Sequence, residues 1–491
     1  MTESLKEKTA KGLFWGALNS GITQVLNLVF GIVLGRLLTP GDYGLVGVLT
    51  IFTAIAGNLQ SSGFTQGLIN LKHPTRRDYS SVMWFNILVS VACYAVLFAA
   101  APLIARFFHD PRLTSLSRLV FVAFVISSLG ITSNAYMAKN MMNRELAVCG
   151  AVALAGSGLV GIALAVAGYA YWSLAWQQIV YISLLNLCRF HYTPRLLCRK
   201  IDFGPVRGMF RFSVKILLTN IINTLSQNLL TFVFGRLYPM RAVGNFSQAY
   251  KWNNMAGSVV ANTVGQIAQP VMVAVNGERG REAQVFRKMM RFTAFLSFPV
   301  LLGLALVARE FILITVGPRW EGCVVLLQLL CVGGAFFPFY TLYQNLVISN
   351  GRSDLYLWCN IGQIVLQLAV IVAFHQAGMV AMVAAYSATM VLWLGVWQWM
   401  ARRLVGVSLA DILRDLAPFL LAAAATMAAT WAATCWLHGV VVLFLARVAV
   451  AATLYYAIMR AAHVVILDEC VAFLKSRLKG RKASDSGSQK R

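Results

Sequence analysis

Two basic residues fall inside long apolar segments, where a charged side chain is costly unless it meets water or an anion. Lys251 lies roughly 10 Å inside the outer end of its segment, at a helical rise of about 1.5 Å per residue, and Arg447 lies at a similar depth. The acidic residues fall in loops, tails or segment ends, so the sequence offers neither cation a carboxylate partner. We therefore predict that Lys251 binds an anionic substrate. Arg447 is a second candidate, although a long arginine side chain can instead extend its guanidinium to the membrane interface.

Polar side chains follow helical spacing in several apolar segments, so that each set shares one face of its helix. The sets are Ser20, Gln24 and Asn27; Asn58, Ser62 and Gln66; Asn220, Asn223, Thr224 and Gln227; Gln248, Ser258, Asn262, Gln266 and Gln269 around Lys251; and Asn360, Gln363 and Gln367. Such amides can hydrogen-bond between packed helices, at about 0.6–2 kcal/mol each. Because matching sets recur in two parts of the chain, we favour a second interpretation, in which they line a hydrophilic cavity. The candidate binding amides are Gln24, Asn27, Asn223, Gln227, Gln248, Asn262 and Gln266.

The segment Gly35–Gln66 recurs in the second half of the chain as Gly235–Gln266, with Gly-Arg-Leu at the start of both copies. Duplicated halves are typical of membrane transporters, in which two related lobes face a shared cavity. Arg36 and Arg236 end the first helix of each copy at the predicted outer face. They either stabilise the helix C-termini through the helix dipole or form a ring of positive charge at the outer mouth of the cavity, so both are candidate binding residues.

The elements that position these residues are membrane-spanning helices. Hydrophobic residues make up 59% of the 491 positions and charged residues 12%, against roughly 25% charged residues in soluble domains. The apolar segments are about 20 residues long, enough to cross a hydrocarbon core of about 30 Å as helix. We predict an all-α polytopic membrane protein of about fourteen helices, with two six-helix lobes and two extra C-terminal helices. Two of these predicted helices cover residues 115–137 and 323–348.

The net charge of +25 does not indicate nucleic-acid binding, because most Lys and Arg residues fall in alternate loops. This pattern follows the positive-inside rule and predicts that both termini are cytoplasmic. The predicted domains are an N-terminal lobe (1–195), a basic linker with a C-terminal lobe (196–404), helices thirteen and fourteen (405–460) and a basic tail (461–491). We expect the tail to contact the anionic lipids of the inner leaflet.

Motifs for enzyme or cofactor chemistry are missing from the sequence. The nine cysteines form no CxxC pair and have no His partner at metal spacing, so we predict no disulfide, metal or cofactor. No Walker lysine loop, GxSxG or HExxH is present, which argues against an enzyme. The lack of carboxylates inside the segments also disfavours proton antiport through a buried Asp or Glu.

The stretch Gly31–Leu45 (GIVLGRLLTPGDYGL), preceded by Lys-Gly-Leu-Phe-Trp at the N-terminus, resembles the polysaccharide-exporter family of lipid-linked oligosaccharide flippases. Its O-antigen and colanic-acid branches are the most similar. The segment Glu310–Trp320 resembles the family's connection between helices nine and ten, and the similarity extends to about residue 460.

The resemblance implies a bacterial inner-membrane flippase that moves undecaprenyl-pyrophosphate-linked oligosaccharides from the cytoplasmic to the periplasmic leaflet, by alternating access of the two lobes. It implies the lipid-linked oligosaccharide as substrate, and a polysaccharide polymerase and glycosyltransferases as candidate partners. Two alternatives stay open: a multidrug exporter of the same superfamily, and a peptidoglycan-precursor flippase. A further alternative is a membrane scaffold or a polymerase within a glycan assembly; a polymerase would need a large outer loop, and the sequence has none.

Overall fold

The computed structural model describes residues 5–194, 202–275, 279–464 and 466–468, which are almost entirely α-helical and contain no strand. This confirms the predicted all-α fold. The first helices are α1 (Leu5–Leu37), α2 (Pro40–Asn70), α3 (Arg76–Phe107), α4 (Arg112–Leu129), α5 (Ile131–Lys139), α6 (Asn143–Val166), α7 (Tyr171–Tyr192), α8 (Gly204–Leu237) and α9 (Met240–Ala274). The remaining helices are α10 (Arg279–Leu306), α11 (Ala308–Thr315), α12 (Gly322–Gly334), α13 (Phe337–Ser349), α14 (Ser353–Phe374), α15 (Met379–Val405), α16 (Leu409–Thr434) and α17 (Val440–Ala461). Residues 195–201 of the basic linker region and the tail beyond residue 468 lie outside the described residues.

The chain divides into two compact units. Unit 1 comprises Met1–Gln248 with Thr315–Gly322, and unit 2 comprises Ala249–Ile314 with Cys323–Arg491. In unit 1, α2 packs against α8, and α6 packs against α1 and α7; in unit 2, α16 packs against α10 and α17. The units are defined by contacts and the predicted lobes by the repeat, so the lobe boundaries stay predictions.

Three helices begin with the same capping arrangement. The hydroxyl of Thr39, Thr75 or Ser408 accepts from the backbone N–H three residues later, and the aspartate at that later position accepts from the cap's own backbone N–H. Each arrangement satisfies two backbone donors that the first turn of a helix would leave free. The S/T-x-x-D spacing therefore fixes the starts of α2, α3 and α16.

Two predicted single helices are each broken into two. Residues 115–137 form most of α4 and most of α5, separated at Gly130, where an added Cβ would come within 1.8 Å of Asn186 Oδ1. Residues 323–348 form α12 and α13, and the break exposes the carbonyl of Ala335, which accepts from Ser297 Oγ at 2.6 Å. Pro338 lies in the first turn of α13, where its missing N–H costs no hydrogen bond.

The two copies of the repeat contact each other reciprocally within unit 1. An added Cβ at Gly44 would come within 1.9 Å of Met240 O, and one at Gly244 within 1.6 Å of Pro40 O. The starts of α2 and α9 therefore cross at a distance that only glycine permits. Equivalent positions in the two copies thus occupy equivalent places in the structure, as the sequence repeat predicts.

Ten helical segments within the described residues are long and apolar enough to cross a membrane, by length and composition alone. Large apolar side chains are exposed along several of them, for example Val441, Leu445 and Val448 on α17. A soluble fold would bury such side chains, whereas a bilayer solvates them. The chain is a multi-pass membrane protein, and the count of about fourteen spans stays a prediction.

Candidate functional site

Lys251 is half-buried on α9, in the part of that helix that belongs to unit 2. Its Nζ lies 5.5 Å from the centroid of the neighbouring Trp252 ring. Across the described part of the chain, no hydrogen bond or carboxylate holds this ammonium. An intramembrane ammonium in this state needs water or an anionic ligand.

The predicted binding amides of α1 and α8 are not sealed in the protein interior. Gln24, Asn27 and Asn223 are half-buried, and Gln227 is exposed. Gln24 and Asn223 have interactions of their own. Asn27 and Gln227, which are equivalent in the repeat, have no hydrogen-bond partner among the described residues. These two amides therefore form no interhelical hydrogen bond within the described structure.

Asn58 on α2 fits the interpretation in which polar side chains hydrogen-bond between packed helices. Its side-chain amide donates to Thr224 Oγ1 and, at 3.2 Å, to the backbone carbonyl of Asn220, both on α8. The polar residues of α2 were grouped with the cavity-lining sets, but this one joins two packed helices. The side chains of Ser62 and Gln66 lie outside the described residues.

The amides of α9 differ in burial. Gln248 is fully buried, and neither end of its amide has a hydrogen-bond partner in the described structure. Asn262 is exposed, and the side chains of Gln266 and Gln269 lie outside the described residues. A buried amide without a partner costs about 1–3 kcal/mol, so Gln248 is a position where water or substrate would restore hydrogen bonds.

The polar row of α14 is buried in protein. Asn360, Gln363 and Gln367 are each less than 10% exposed, and Gln363 Nε2 donates to Met390 Sδ at 3.3 Å. All three residues belong to unit 2, and the Gln363 contact joins α14 to α15, as the interhelical interpretation expects for that residue. They were not among the candidate binding amides.

The two repeat-related arginines have different partners within unit 1. Arg36 Nε donates to the carbonyl of Thr315 at 2.7 Å, at the C-terminus of α11, where carbonyls are left free and the dipole favours a cation. Arg236 places its guanidinium 5.3 Å from the centroid of the Phe107 ring, and its Nη1 lies 2.6 Å from His109 Nδ1. Both side chains are otherwise exposed.

The expectation that Arg447 lacks a carboxylate partner was wrong. Its Nη1 donates to Glu310 Oε1 at 2.9 Å and to the carbonyl of Leu306 at 3.3 Å. The side chains of Arg447 and Glu310 are 11% and 6% exposed. Sequence reasoning placed Glu310 in a loop, but the short helix α11 begins immediately after α10 and carries this carboxylate against α17. Glu310 compensates the Arg447 charge. The prediction that Arg447 binds substrate rested on the lack of such a partner, so its main support is removed.

The sequence analysis also missed three residues next to Arg236. His109 and Arg112 follow α3, Arg241 is the second residue of α9, and all three line one cavity with Arg236. A signal was present, because Arg112 and Arg241 lie in predicted outer loops, where the positive-inside rule expects few cations. Among the described residues no cluster of His, Cys, Asp or Glu could hold a metal ion. The groups that these units present are cations and amides, which suit an anionic, hydroxyl-rich ligand.

The described residues form the helical fold of a multi-pass membrane protein. The computed structure is similar to the lipid II flippase MurJ in an inward closed conformation, with a TM-score of 0.78 over 92% of this chain and 99% of that chain at 10% identity. It is also similar to an inward-facing multidrug resistance MATE transporter, with a TM-score of 0.63 over 78% of this chain and 95% of that chain at 15% identity. At such identities the likeness concerns the fold alone.

The chain belongs to the polysaccharide biosynthesis protein family, whose model matches residues 33–325. It is 25% identical over 390 residues to the lipopolysaccharide biosynthesis protein WzxC of Escherichia coli K12, covering 78% of each chain. It is 24% identical over 364 residues to the succinoglycan biosynthesis transport protein ExoT of Rhizobium meliloti 1021, covering 73% of each. The resemblance noted in the sequence is thus confirmed.

Proposed function

We propose that this protein is a flippase that translocates undecaprenyl-pyrophosphate-linked oligosaccharide units from the cytoplasmic to the periplasmic leaflet. Membership of a polysaccharide biosynthesis family and the transport role in the name of ExoT support the proposal. The fold shared with a lipid II flippase is compatible with it. The translocated units would be used to build a surface polysaccharide, such as an exopolysaccharide, a capsule or an O-antigen. The protein performs transport and no covalent step.

The observation that carries the proposal is the Lys251 ammonium, which lies inside a predicted span without a carboxylate partner among the described residues. A pyrophosphate brings at least two negative charges, and it can offset the cost of holding this cation in a low-dielectric setting. Asn27, Gln227 and Gln248 offer donors and acceptors without protein partners in the described structure. A sugar hydroxyl both donates and accepts, so amides match it well.

In the proposed mechanism the anionic headgroup enters from the inner leaflet and binds Lys251, while amides replace the water around the sugars. The two lobes then rock about each other and open the polar path to the outer side. The lipid tail stays in the bilayer throughout. Gln24, Asn223, Asn262 and Gln266 are further proposed contacts, with Arg36 and Arg236 at the outer mouth.

The proposed location is the bacterial inner membrane, with both termini in the cytoplasm, as the distribution of basic residues indicates. In this orientation the basic tail contacts anionic lipids of the inner leaflet. A polysaccharide polymerase and glycosyltransferases are the proposed partners, since they would consume and supply the lipid-linked unit.

The multidrug alternative gains an observation from the structure. Glu310 is a buried carboxylate, so the sequence argument against proton antiport, which assumed that none exists, no longer holds. Its Oε1 accepts from Arg447 Nη1 at 2.9 Å, which gives this carboxylate a structural role between α11 and α17. Dye efflux from cells that express the protein would support this alternative, whereas the flippase proposal expects none.

The test is complementation of a strain that lacks the gene, scored by surface polysaccharide and by lipid-linked intermediates in the inner leaflet. Lys251→Ala and Lys251→Glu should abolish export at normal protein levels, and Lys251→Arg should retain part of it. Lys72→Ala is the matched control, because Lys72 is exposed between α2 and α3. Normal export by Lys251→Ala would refute the assigned role.

A further inference from the structure

A cavity of about 540 Å³ opens at one end of unit 1, between the loop that joins α3 to α4 and the turn that joins α8 to α9. Its lining includes His109, Asp110, Arg112, Arg236 and Arg241. All of these residues belong to unit 1. In the orientation proposed above, this is the outer end of the helices.

The positive charge of this cavity is only partly compensated. Asp110 accepts from Arg112 through both carboxylate oxygens, from Nε at 3.0 Å and from Nη2 at 2.7 Å. The pKa of the Asp110 carboxyl is below its usual value, chiefly because Arg112 donates to it, so at neutral pH these two charges cancel. Among the described residues, Arg236 contacts an imidazole and an aromatic ring but no carboxylate. Arg241 is exposed and has no ion-pair partner in the described part of the chain.

Two guanidinium groups therefore face a concave surface without a counter-charge. Each guanidinium carries five N–H donors in a planar fork that matches phosphate and carboxylate oxygens. Arg236 lies 5.3 Å from the Phe107 ring centroid and 2.6 Å from His109 Nδ1, and these two contacts restrict the positions of that fork. Fixed donors lose less entropy when they bind an anion, which favours specific recognition over diffuse attraction.

We propose that this cavity is a binding site for the pyrophosphate of the lipid carrier at the outer leaflet, with Arg236 and Arg241 as its principal ligands and Arg112 as a third donor. The inference rests on the proposed function. The cavity lies where α3 and α8 end and α9 begins. In the orientation proposed above this is the outer face, so a pyrophosphate that has crossed the membrane would meet it there. A site that holds the pyrophosphate of the translocated lipid at the outer face would disfavour its return to Lys251.

The experiment uses the full-length protein in nanodiscs of zwitterionic lipid, titrated with inorganic pyrophosphate and followed by ³¹P NMR. The Lys251→Ala background removes the phosphate ligand that is proposed inside the predicted span. In that background, R236Q/R241Q should weaken pyrophosphate binding by about tenfold or more, because two charge-assisted contacts are lost. R236K/R241K keeps both charges but loses the fork, so it should bind with an intermediate affinity.

The matched control is Arg319→Gln, since Arg319 is an exposed arginine of unit 1 outside the cavity lining. It should leave binding unchanged. Equal weakening by Arg319→Gln would show diffuse surface attraction and overturn the site, as would unchanged binding by R236Q/R241Q. Tighter binding of glucuronate than of pyrophosphate would also overturn the proposal, in favour of an acidic sugar of the glycan.

The same variants separate this inference from the proposed function. If the Lys251 variants stop export while R236Q/R241Q binds pyrophosphate normally, the outer site is wrong and the flippase stands. If a deletion strain exports polysaccharide normally, the flippase proposal fails, and the carrier assignment of this cavity fails with it even where inorganic pyrophosphate binds.

Discussion

The buried pair between Glu310 and Arg447 predicts a strong coupling free energy between α11 and α17. The two side chains are 6% and 11% exposed and meet at 2.9 Å. Removing one partner of a buried ion pair costs about 3–5 kcal/mol, because the other charge is left without compensation. Arg447 keeps the Leu306 carbonyl at 3.3 Å and Thr434 Oγ1 at 3.4 Å, so Glu310→Gln should fall at the low end, about 3 kcal/mol.

Arg447→Met should cost more, about 4 kcal/mol, because it leaves the Glu310 carboxylate buried with neither oxygen paired. Independent effects would sum to about 7 kcal/mol in the double variant. We expect E310Q/R447M to cost about 4 kcal/mol instead, a coupling of about 3 kcal/mol. The measurement is the free energy of unfolding of the full-length protein in mixed detergent micelles, followed by circular dichroism.

An exposed ion pair of unit 2 provides the control. Arg460 Nη1 lies 2.6 Å from Asp468 Oδ1, with both side chains more than half exposed. Arg460→Met should cost less than about 1 kcal/mol, since solvent screens the pair. If the Glu310 and Arg447 variants were additive within about 0.5 kcal/mol, the buried pair would contribute nothing specific and the reasoning would fail.

Three further predictions concern unit 1. Gly44→Ala should prevent folding at normal yield, because its Cβ would come within 1.9 Å of a backbone carbonyl. Its control is Gly257→Ala in unit 2, which should express normally because an added Cβ would have nothing within 4 Å; fluorescence-detected size exclusion compares the two variants. Asn58→Ala should lower the free energy of unfolding by about 1 kcal/mol but retain export, since this amide joins α2 to α8; loss of export in folded protein would contradict that role. Asp110→Asn should tighten pyrophosphate binding by about threefold or more, because it removes the carboxylate of the cavity; unchanged affinity in the ³¹P titration would argue against binding there.

The helices and the repeat could be predicted from the sequence because they depend on composition and spacing. Runs of about 20 apolar residues have few alternatives to helix in a membrane. Gly44 and Gly244 stand at matching places in the two copies, and the reciprocal contacts at Met240 and Pro40 explain why both are glycine. The shared Gly-Arg-Leu likewise places Arg36 and Arg236 at equivalent helix ends.

The helix breaks could not be predicted from hydropathy, because they depend on tertiary hydrogen bonds. Asn186 Nδ2 donates to the carbonyl of Ile126 at 2.5 Å, which stabilises the end of α4 at Gly130. Ser297 Oγ likewise donates to the carbonyl of Ala335, at the break between α12 and α13. The sequence does not indicate which carbonyl a serine or asparagine side chain will contact.

The candidate site was predicted only in part, for a related physical reason. Spacing places amides on one face but does not say whether that face meets a neighbouring helix. Asn58 proved to bond α8, whereas Asn27 has no hydrogen-bond partner in the described residues. Glu310 could not be predicted as the partner of Arg447, because the short helix α11 that places it there is not apparent in the sequence.

The most direct test of the central claim is translocation in a purified system. Full-length protein would be reconstituted into liposomes with a fluorescent undecaprenyl-pyrophosphate-linked oligosaccharide, and the fraction reaching the opposite leaflet would be measured by dithionite quenching. The account predicts transfer by the wild-type protein and by Lys72→Ala, and transfer near the protein-free level for Lys251→Ala. Equal transfer by Lys251→Ala and the wild type would contradict the claim that an intramembrane cation receives the headgroup.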